Sequence, residues 1–321
     1  METFLMYFLF AVGLVLIIKG GDFFVDAAAW LAEVSGIPHF IVGATIVGFA
    51  TSLPEILVSV FAAAGGDVEM ATGNAVGSVT ANTGLILGIS LLAMPMVIRL
   101  RKYYPQVILL TAAIVAIFLF GLSGEITIVA SIVLTLMFVL FVIMNVRDAK
   151  SSISENAEAV AAERENITKG IVAKKIVLFV LGCAGIIGGS ELLVNYGSAI
   201  AASLGVPTRI ISISAVAIGT SLPELVTTIT AIAKKQASLS VGNILGSNII
   251  DMTFVLPPCM LAYGKPLPVS NGTLFVDLPA LFLLTIACFL PTVFTKKFSR
   301  WQGVLMLVGY VGYIAYTFIT H

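Results

Sequence analysis

Long apolar stretches alternate with short polar connections along the whole chain, and each is near the roughly 20 residues that span a bilayer core. Ten can be drawn, at about 3–32, 38–64, 70–97, 106–122, 126–146, 176–204, 208–233, 239–262, 274–292 and 301–319. The pattern predicts an all-α integral membrane protein of ten transmembrane helices, with no room for a large soluble domain. The first stretch reads as a retained span rather than a cleaved leader. It opens Met1-Glu2 with no basic residue, and Lys19 stands at the far end of its apolar run. The one long polar connection, Arg147 to Lys175, is rich in Ala, Ser and Glu with charges of both signs. It reads as a solvated cytoplasmic linker, open to partial helicity and too short for a regulatory domain.

Shifted by 169 residues, the sequence falls on itself without a gap. Gly36 and Pro38 meet Gly205 and Pro207, and Thr51-Ser52-Leu53-Pro54-Glu55 meets Thr220-Ser221-Leu222-Pro223-Glu224. Gly73-Asn74 and Gly77-Ser78 meet Gly242-Asn243 and Gly246-Ser247, and Asn82 meets Asp251. The chain divides into a five-helix repeat over 1–146, a linker over 147–175 and a second five-helix repeat over 176–321. Five spans is an odd number, so the second copy enters the membrane from the opposite side. Inverted repeats of this kind build secondary transporters whose sites lie near the midplane, where the halves meet. Shared small-residue packing would explain repeated glycines, but not a repeated polar and acidic pentapeptide.

Composition agrees: 59% of residues are hydrophobic and 11% charged, against about a quarter charged in soluble domains. Cys183, Cys259 and Cys288 are scattered in or beside apolar segments, which suggests neither a disulfide framework nor a soft-metal site. With the N-terminus outside, the inward connections hold Arg99, Arg101, Lys102, Arg147, Lys150, Arg164, Lys169, Lys174, Lys175, Lys234, Lys235, Lys296, Lys297 and Arg300. The outward ones hold Arg209 and Lys265. The positive-inside rule then places both ends outside the cytoplasm, in a cell (inner or plasma) membrane.

The chemistry concentrates in the second, third, seventh and eighth spans. Pro54 and Pro223 have no N–H, so the carbonyls of Ala50 and Gly219 lose their helical donors and helices 2 and 7 should break. Backbone freed at membrane depth must be buried in protein or face a watery cavity, and a dehydrated cation is one partner for it. Glu55 and Glu224 stand beside these breaks, where a mid-membrane charge costs about 2.5–3.5 kcal/mol on insertion scales. Thr51 and Glu55 share a helix face four residues apart, as do Thr220 and Glu224. In the third and eighth spans Ser78 pairs with Asn82 and Ser247 with Asp251 at the same spacing. Gly73, Gly77, Gly242 and Gly246 allow close approach to the broken helices. Carboxylate, hydroxyl and carbonyl oxygens suit calcium, with 6–8 oxygen ligands, better than a soft metal. His39 and His321, at segment ends, are not expected to be ligands. A kink bonded by Ser and Thr with protonated glutamates is the structural alternative.

The paired blocks GFATSLPEILVSV…GNAVGSVTAN and AIGTSLPELVTTI…GNILGSNIID resemble the two alpha-repeats of the sodium/calcium exchanger family, a branch of the calcium/cation antiporter superfamily, in its prokaryotic type. The motif windows are 43–85 and 212–254. The resemblance implies calcium coordination by Glu55, Glu224 and the Thr51 and Thr220 carbonyls. It implies flanking sodium sites from Ser52, Ser78, Ser221 and Ser247 with the carbonyls of Gly48 and Ala217, and a centre lined by Asn82 and Asp251. It also implies that the first and sixth helices, with GGDFFVD and GGSELLVN, slide across the core to alternate access. Three sodium ions for each calcium, and so net charge movement, follow from the same likeness. Two features depart from the pattern. Ala50 stands where the family's glycine is usual, and Asp251 breaks the symmetry with Asn82 without deciding potassium use.

The expected function is a secondary antiporter of Na+ for Ca2+, with no cofactor beyond the transported ions. Proton or potassium coupling is the alternative. The partners expected are Ca2+, Na+ and the lipid bilayer, with no nucleic acid and a monomer as the simplest assembly. An enzyme is not expected: Gly20-Gly21-Asp22 faintly resembles an intramembrane-protease motif, but a matching Tyr-Asp is missing. Asp22 and Asp26 read instead as solvated residues near the cytoplasmic end of the first span. A channel would share the oxygen ligands but needs an open path.

Overall fold

Helix accounts for most of the residues that the computed structural model describes, namely 2–97, 100–155, 157, 167–204 and 219–320. In chain order the helices are α1 (Glu2–Ser35), α2 (His39–Ala64), α3 (Val68–Ala93), α4 (Leu100–Gly121) and α5 (Ile128–Glu155). They continue with α6 (Lys169–Ser203), α7 (Leu222–Ala233), α8 (Ala237–Tyr263), α9 (Thr273–Thr295) and α10 (Arg300–Thr320). Among the described residues, eight helices are long and apolar enough to cross a membrane. The described part of α7 has 12 residues, because the first half of that predicted span lies outside the described residues.

One feature departs from the all-helical expectation, and another agrees with the partial helicity left open for the linker. A two-residue antiparallel ladder, β1 (Glu125–Ile126) with β2 (Leu267–Pro268), joins the α4–α5 and α8–α9 connections. A single antiparallel bridge, Val97 with Lys297, links two further connections, and the rest of the described fold is helical. Helix also runs into the polar connection, to Glu155 in α5 and from Lys169 in α6. Arg, Ala, Lys and Glu are good helix formers, so a helix already nucleated in the membrane propagates into water through them.

Burial separates the helices into a centre and a flank. In α3 and α8, 78% and 83% of the apolar window is buried, against 22% in α1 and α6. Lipid tails are as apolar as leucine, so helices in a membrane associate through close van der Waals contact and internal polar bonds. Glycine makes that contact possible. A Cβ on Gly246 would lie 2.0 Å from the Ala44 carbonyl oxygen, and one on Gly242 would lie 2.3 Å from that of Phe40. So α8 is pressed against the backbone of α2 in the centre. On the flank α1 and α6 form their own seam, where a Cβ on Gly182 would lie 2.6 Å from the Phe24 nitrogen.

Around that seam, Asp22 and Asp26 are not merely solvated. Both carboxylates reach Lys234 just beyond α7, at 3.3 and 2.9 Å. They remain partly exposed, as solvated residues should, and the structure adds the partner, because sequence cannot show which helix end lies beside α1.

Candidate functional site

The break in α2 falls at Ser52, where the first stretch ends at Thr51 and Leu53–Ala64 begins afresh with Pro54 in its first turn. The Ala50 carbonyl, deprived of a donor by Pro54, faces the Cys183 thiol of α6 at 4.0 Å. In the second half Ser221 precedes Leu222–Ala233, with Pro223 in the equivalent place. Ala50 packs its methyl group into a small cluster with Val25 and Ile186. Its counterpart Gly219 abuts Val194, where a Cβ would lie 3.0 Å from a methyl carbon. One half has room for alanine and the other is tighter.

Each break places a glutamate in the first turn of the helix that follows, Glu55 and Glu224, and both are fully buried. Each has a threonine neighbour from the other half. Thr220 lies beside the Glu55 carboxylate, Thr51 and Ser247 beside Glu224, and Ser52 beside Asp251. None of these contacts has hydrogen-bond geometry, so all six oxygens of Glu55, Glu224 and Asp251 are buried without a donor. Glu55 is close enough to feel the charges of both Glu224 and Asp251.

The orphaned groups are concentrated in one place. Besides the three acids, they include Ser52 Oγ, Ser221 Oγ, Thr228 Oγ1, Asn248 Oδ1 and both amide atoms of Asn82. Apart from Gln106 on α4, every such atom among the described residues is on α2, α3, α8 or at α7. Buried polar groups are normally paired, because leaving one unpaired costs about 1–3 kcal/mol and a charge costs more. A cluster of unpaired acceptors fits a dehydrated cation, which needs several oxygens and offers no donor.

Two asparagines that sequence reading passed over hold this cluster in shape. Thr51 Oγ1 donates to Asn243 Oδ1 at 3.0 Å and lies 3.2 Å from the Ser247 hydroxyl. Thr220 Oγ1 donates to Asn74 Oδ1 at 3.2 Å and lies 3.2 Å from the Ser78 hydroxyl. Asn74 Nδ2 donates in turn to Ser59 Oγ at 2.9 Å, and Asn243 Nδ2 to Thr227 Oγ1 at 3.3 Å. The repeated Gly-Asn was the available signal, but attention fell on its glycine. Widened π-helical turns also begin at Asn82 and Asp251, as Asn82–Ile86 and Asp251–Val255. Such turns frequently mark functional sites, and no residue pattern announced them.

Of the predicted site residues, Thr51, Ser52, Glu55, Ser78, Asn82, Ser221, Glu224, Ser247 and Asp251 are buried on these central helices, and Thr220 is half-buried. The Gly48 carbonyl accepts from Ser247 Oγ at 3.3 Å. Ala217 lies outside the described residues. His39 is occupied elsewhere, with Nδ1 2.5 Å from Gln236 Oε1. Among the described residues, no three His, Cys, Asp or Glu side chains converge into a metal group by themselves. Any ion shell here must therefore draw on hydroxyls, amides and carbonyls as well as acids.

Interrupted, membrane-length helices that gather buried acids from both halves of a chain define a polytopic ion transporter. The family model for the sodium/calcium exchanger protein matches residues 5–147 and 174–319, and the chain belongs to that family of antiporters. It is 31% identical to an uncharacterized membrane protein of Methanocaldococcus jannaschii, over 95% of this chain and 96% of that one. It is 28% identical to the sodium/calcium exchanger MaX1 of Methanosarcina acetivorans, over 97% and 98%. Among solved structures it is similar to the sodium-calcium exchanger NCX_Mj soaked in sodium without calcium. That match has a TM-score of 0.84 and 29% identity, and covers 97% of this chain and 98% of the other.

Proposed function

We propose that this chain exchanges Na+ for Ca2+ across a cell membrane by alternating access, with both ends outside the cytoplasm. The observation that carries the reading is the set of six buried carboxylate oxygens without a donor, faced by hydroxyls across the two halves. The names of MaX1 and NCX_Mj give the same ion pair for those relatives.

Ten spans in two inverted five-helix repeats, 1–146 and 176–321, are supported by element bounds that recur at the 169-residue shift. Leu53–Ala64 matches Leu222–Ala233, Val68–Ala81 matches Ala237–Ile250, and Asn82–Ile86 matches Asp251–Val255. Residues 147–175 join the repeats on the cytoplasmic side. One chain supplies the whole site, which is why a monomer suffices.

Calcium is held by Glu55 and Glu224 with the Thr51 and Thr220 carbonyls. Sodium ions use Ser52, Ser78, Ser221 and Ser247 with the Gly48 and Ala217 carbonyls, and Asn82 and Asp251 line the centre. Both loads need the two glutamates, so they compete. A loaded site is neutralised and can pass through the bilayer centre as the α1–α6 pair slides. An empty one exposes uncompensated charge to a low-dielectric surround and resists closure. That asymmetry obligates exchange. Several sodium ions displace one calcium by mass action and the gradient, moving net charge.

Purified protein in sealed liposomes is expected to take up calcium when a sodium gradient points outward, and to generate a membrane potential as it does so. A second reading, in which a proton or potassium ion joins the cycle, draws on Asp251, a third acid near Glu55. Uptake driven by a pH or potassium gradient with sodium absent would replace sodium coupling with that alternative.

The asparagine braces give a separate expectation. In Asn243→Ala, Thr51 loses its acceptor, and the apparent calcium affinity should fall roughly tenfold, the size of one buried hydrogen bond. Asn74→Ala should act alike through Thr220. Unchanged affinity in both variants, measured by flux at varied calcium, would deny the bracing role.

A further inference from the structure

α1 touches α7 along one short face. A Cβ on Gly21 would lie 2.7 Å from Thr230 Oγ1 and 3.0 Å from Val226 Cγ1. One turn further, Lys234 Nζ lies 2.9 Å from Asp26 Oδ1 and 3.3 Å from Asp22 Oδ1. Asp22 and Asp26 share a face of α1 at four-residue spacing, and Val226, Thr230 and Lys234 repeat that spacing on the other side. The helix ending beside Lys234 begins beside Glu224, so the ion pair and the central carboxylate sit on one rigid rod. The closing turn fixes Lys234 in turn: its N–H donates to the Thr230 carbonyl at 3.0 Å, and that of Gln236 to the Ala231 carbonyl at 2.7 Å.

The first half has no equivalent. The 169-residue shift places Gly65 where Lys234 stands, and Glu191 and Asn195 of α6 where α1 has Asp22 and Asp26. The turn itself is shared, with Gly66 at φ +88° matched by Lys235 at φ +59°. The cation that grips α1 therefore belongs to one half only.

We infer that Lys234, held by Asp22 and Asp26, is a positioning residue that ties the α1–α6 pair to the Glu224 helix and biases the exchanger toward the state in which this contact is made. The inference rests on the alternating-access reading above. If two related halves exchange shapes as the protein changes face, the two end states are nearly equal in energy, and a contact present in one half alone tilts the balance. Exposed ion pairs of this kind shift such an equilibrium by up to about fivefold. A shift in population appears as opposite changes of apparent affinity at the two faces.

The test is calcium affinity measured separately at each face of sealed vesicles. Lys234→Met should raise it at one face and lower it at the other, with the two fold-changes multiplying to about two- to fivefold. Asp22→Asn with Asp26→Asn should do the same, and adding Lys234→Met to that pair should change nothing more. Lys234→Asp combined with Asp26→Lys should recover the wild-type asymmetry. Unshifted affinities overturn the inference, as does an equal loss at both faces without rescue, which marks a lysine needed only for folding. If the wild-type chain shows no sodium-coupled calcium flux, the exchange reading fails by itself. Amide hydrogen exchange over Asp22–Leu31 in detergent then decides the tether: faster exchange in Lys234→Met supports it, and unchanged exchange ends it.

Discussion

Glu55→Gln and Glu224→Gln, each alone, are expected to abolish sodium-driven calcium uptake while making the ion-free protein more stable to heat. Both effects have one cause. The two carboxylates are fully buried and accept no hydrogen bond from the protein, so in the absence of ions each is a cost the fold carries. A neutral amide of the same shape removes that cost. It also removes the charge that attracts a divalent ion at short range. At an effective dielectric constant near 20, even two unit charges 4 Å apart interact by about 4 kcal/mol. Calcium affinity should therefore drop by more than about 100-fold. The wild type should gain thermal stability from calcium, about 2.7 kcal/mol at a hundredfold excess over its dissociation constant, and neither variant should. Thermal melts with and without calcium, run beside flux, check both halves of the statement. Wild-type flux in either variant would remove that glutamate from the site.

The second large effect concerns Gly246→Ala. A methyl group there would sit 2.0 Å from the Ala44 carbonyl oxygen, and this is backbone rather than the end of a flexible side chain. The contact cannot be relieved by a rotamer change, so α2 and α8 must separate. α2 carries the Gly43–Val47 π turn and then Glu55, while the residue after Gly246 is Ser247, which meets Thr51 at 3.2 Å. Overpacking costs typically about 1–3 kcal/mol where side chains can adjust, and this case belongs at or above the top of that range. Gly246→Ala should melt well below the wild type and lose transport. Gly312→Ala on α10, where a Cβ meets nothing within 4 Å, should melt at or slightly above it. Equal melting temperatures for Gly246→Ala and the wild type would show that the close approach does not hold these helices together.

What was readable in advance followed from chemistry that is local along the chain. Apolar runs placed the helices because an unpaired backbone cannot stay in lipid, so each run had to close its own hydrogen bonds. Pro54 marked the break at Ser52 because its missing N–H acts on the preceding turn alone. Glu55, Glu224 and Asp251 stood out because an acid in an apolar run is costly wherever the run packs.

Contacts between segments were not readable. Asn74 and Asn243 brace Thr220 and Thr51 from more than 140 residues away. Lys234 meets Asp26 across 208 residues. The π turns at Asn82 and Asp251 carry no residue signature of their own. By itself, then, the sequence determined which groups are buried in the membrane and where helices must stop, since those depend on each residue's own backbone and polarity. Only the folded chain decided which oxygens face one another and which charges are matched. Those choices depend on how two distant segments cross, and the crossing is set by glycines at which an added Cβ would strike the facing backbone.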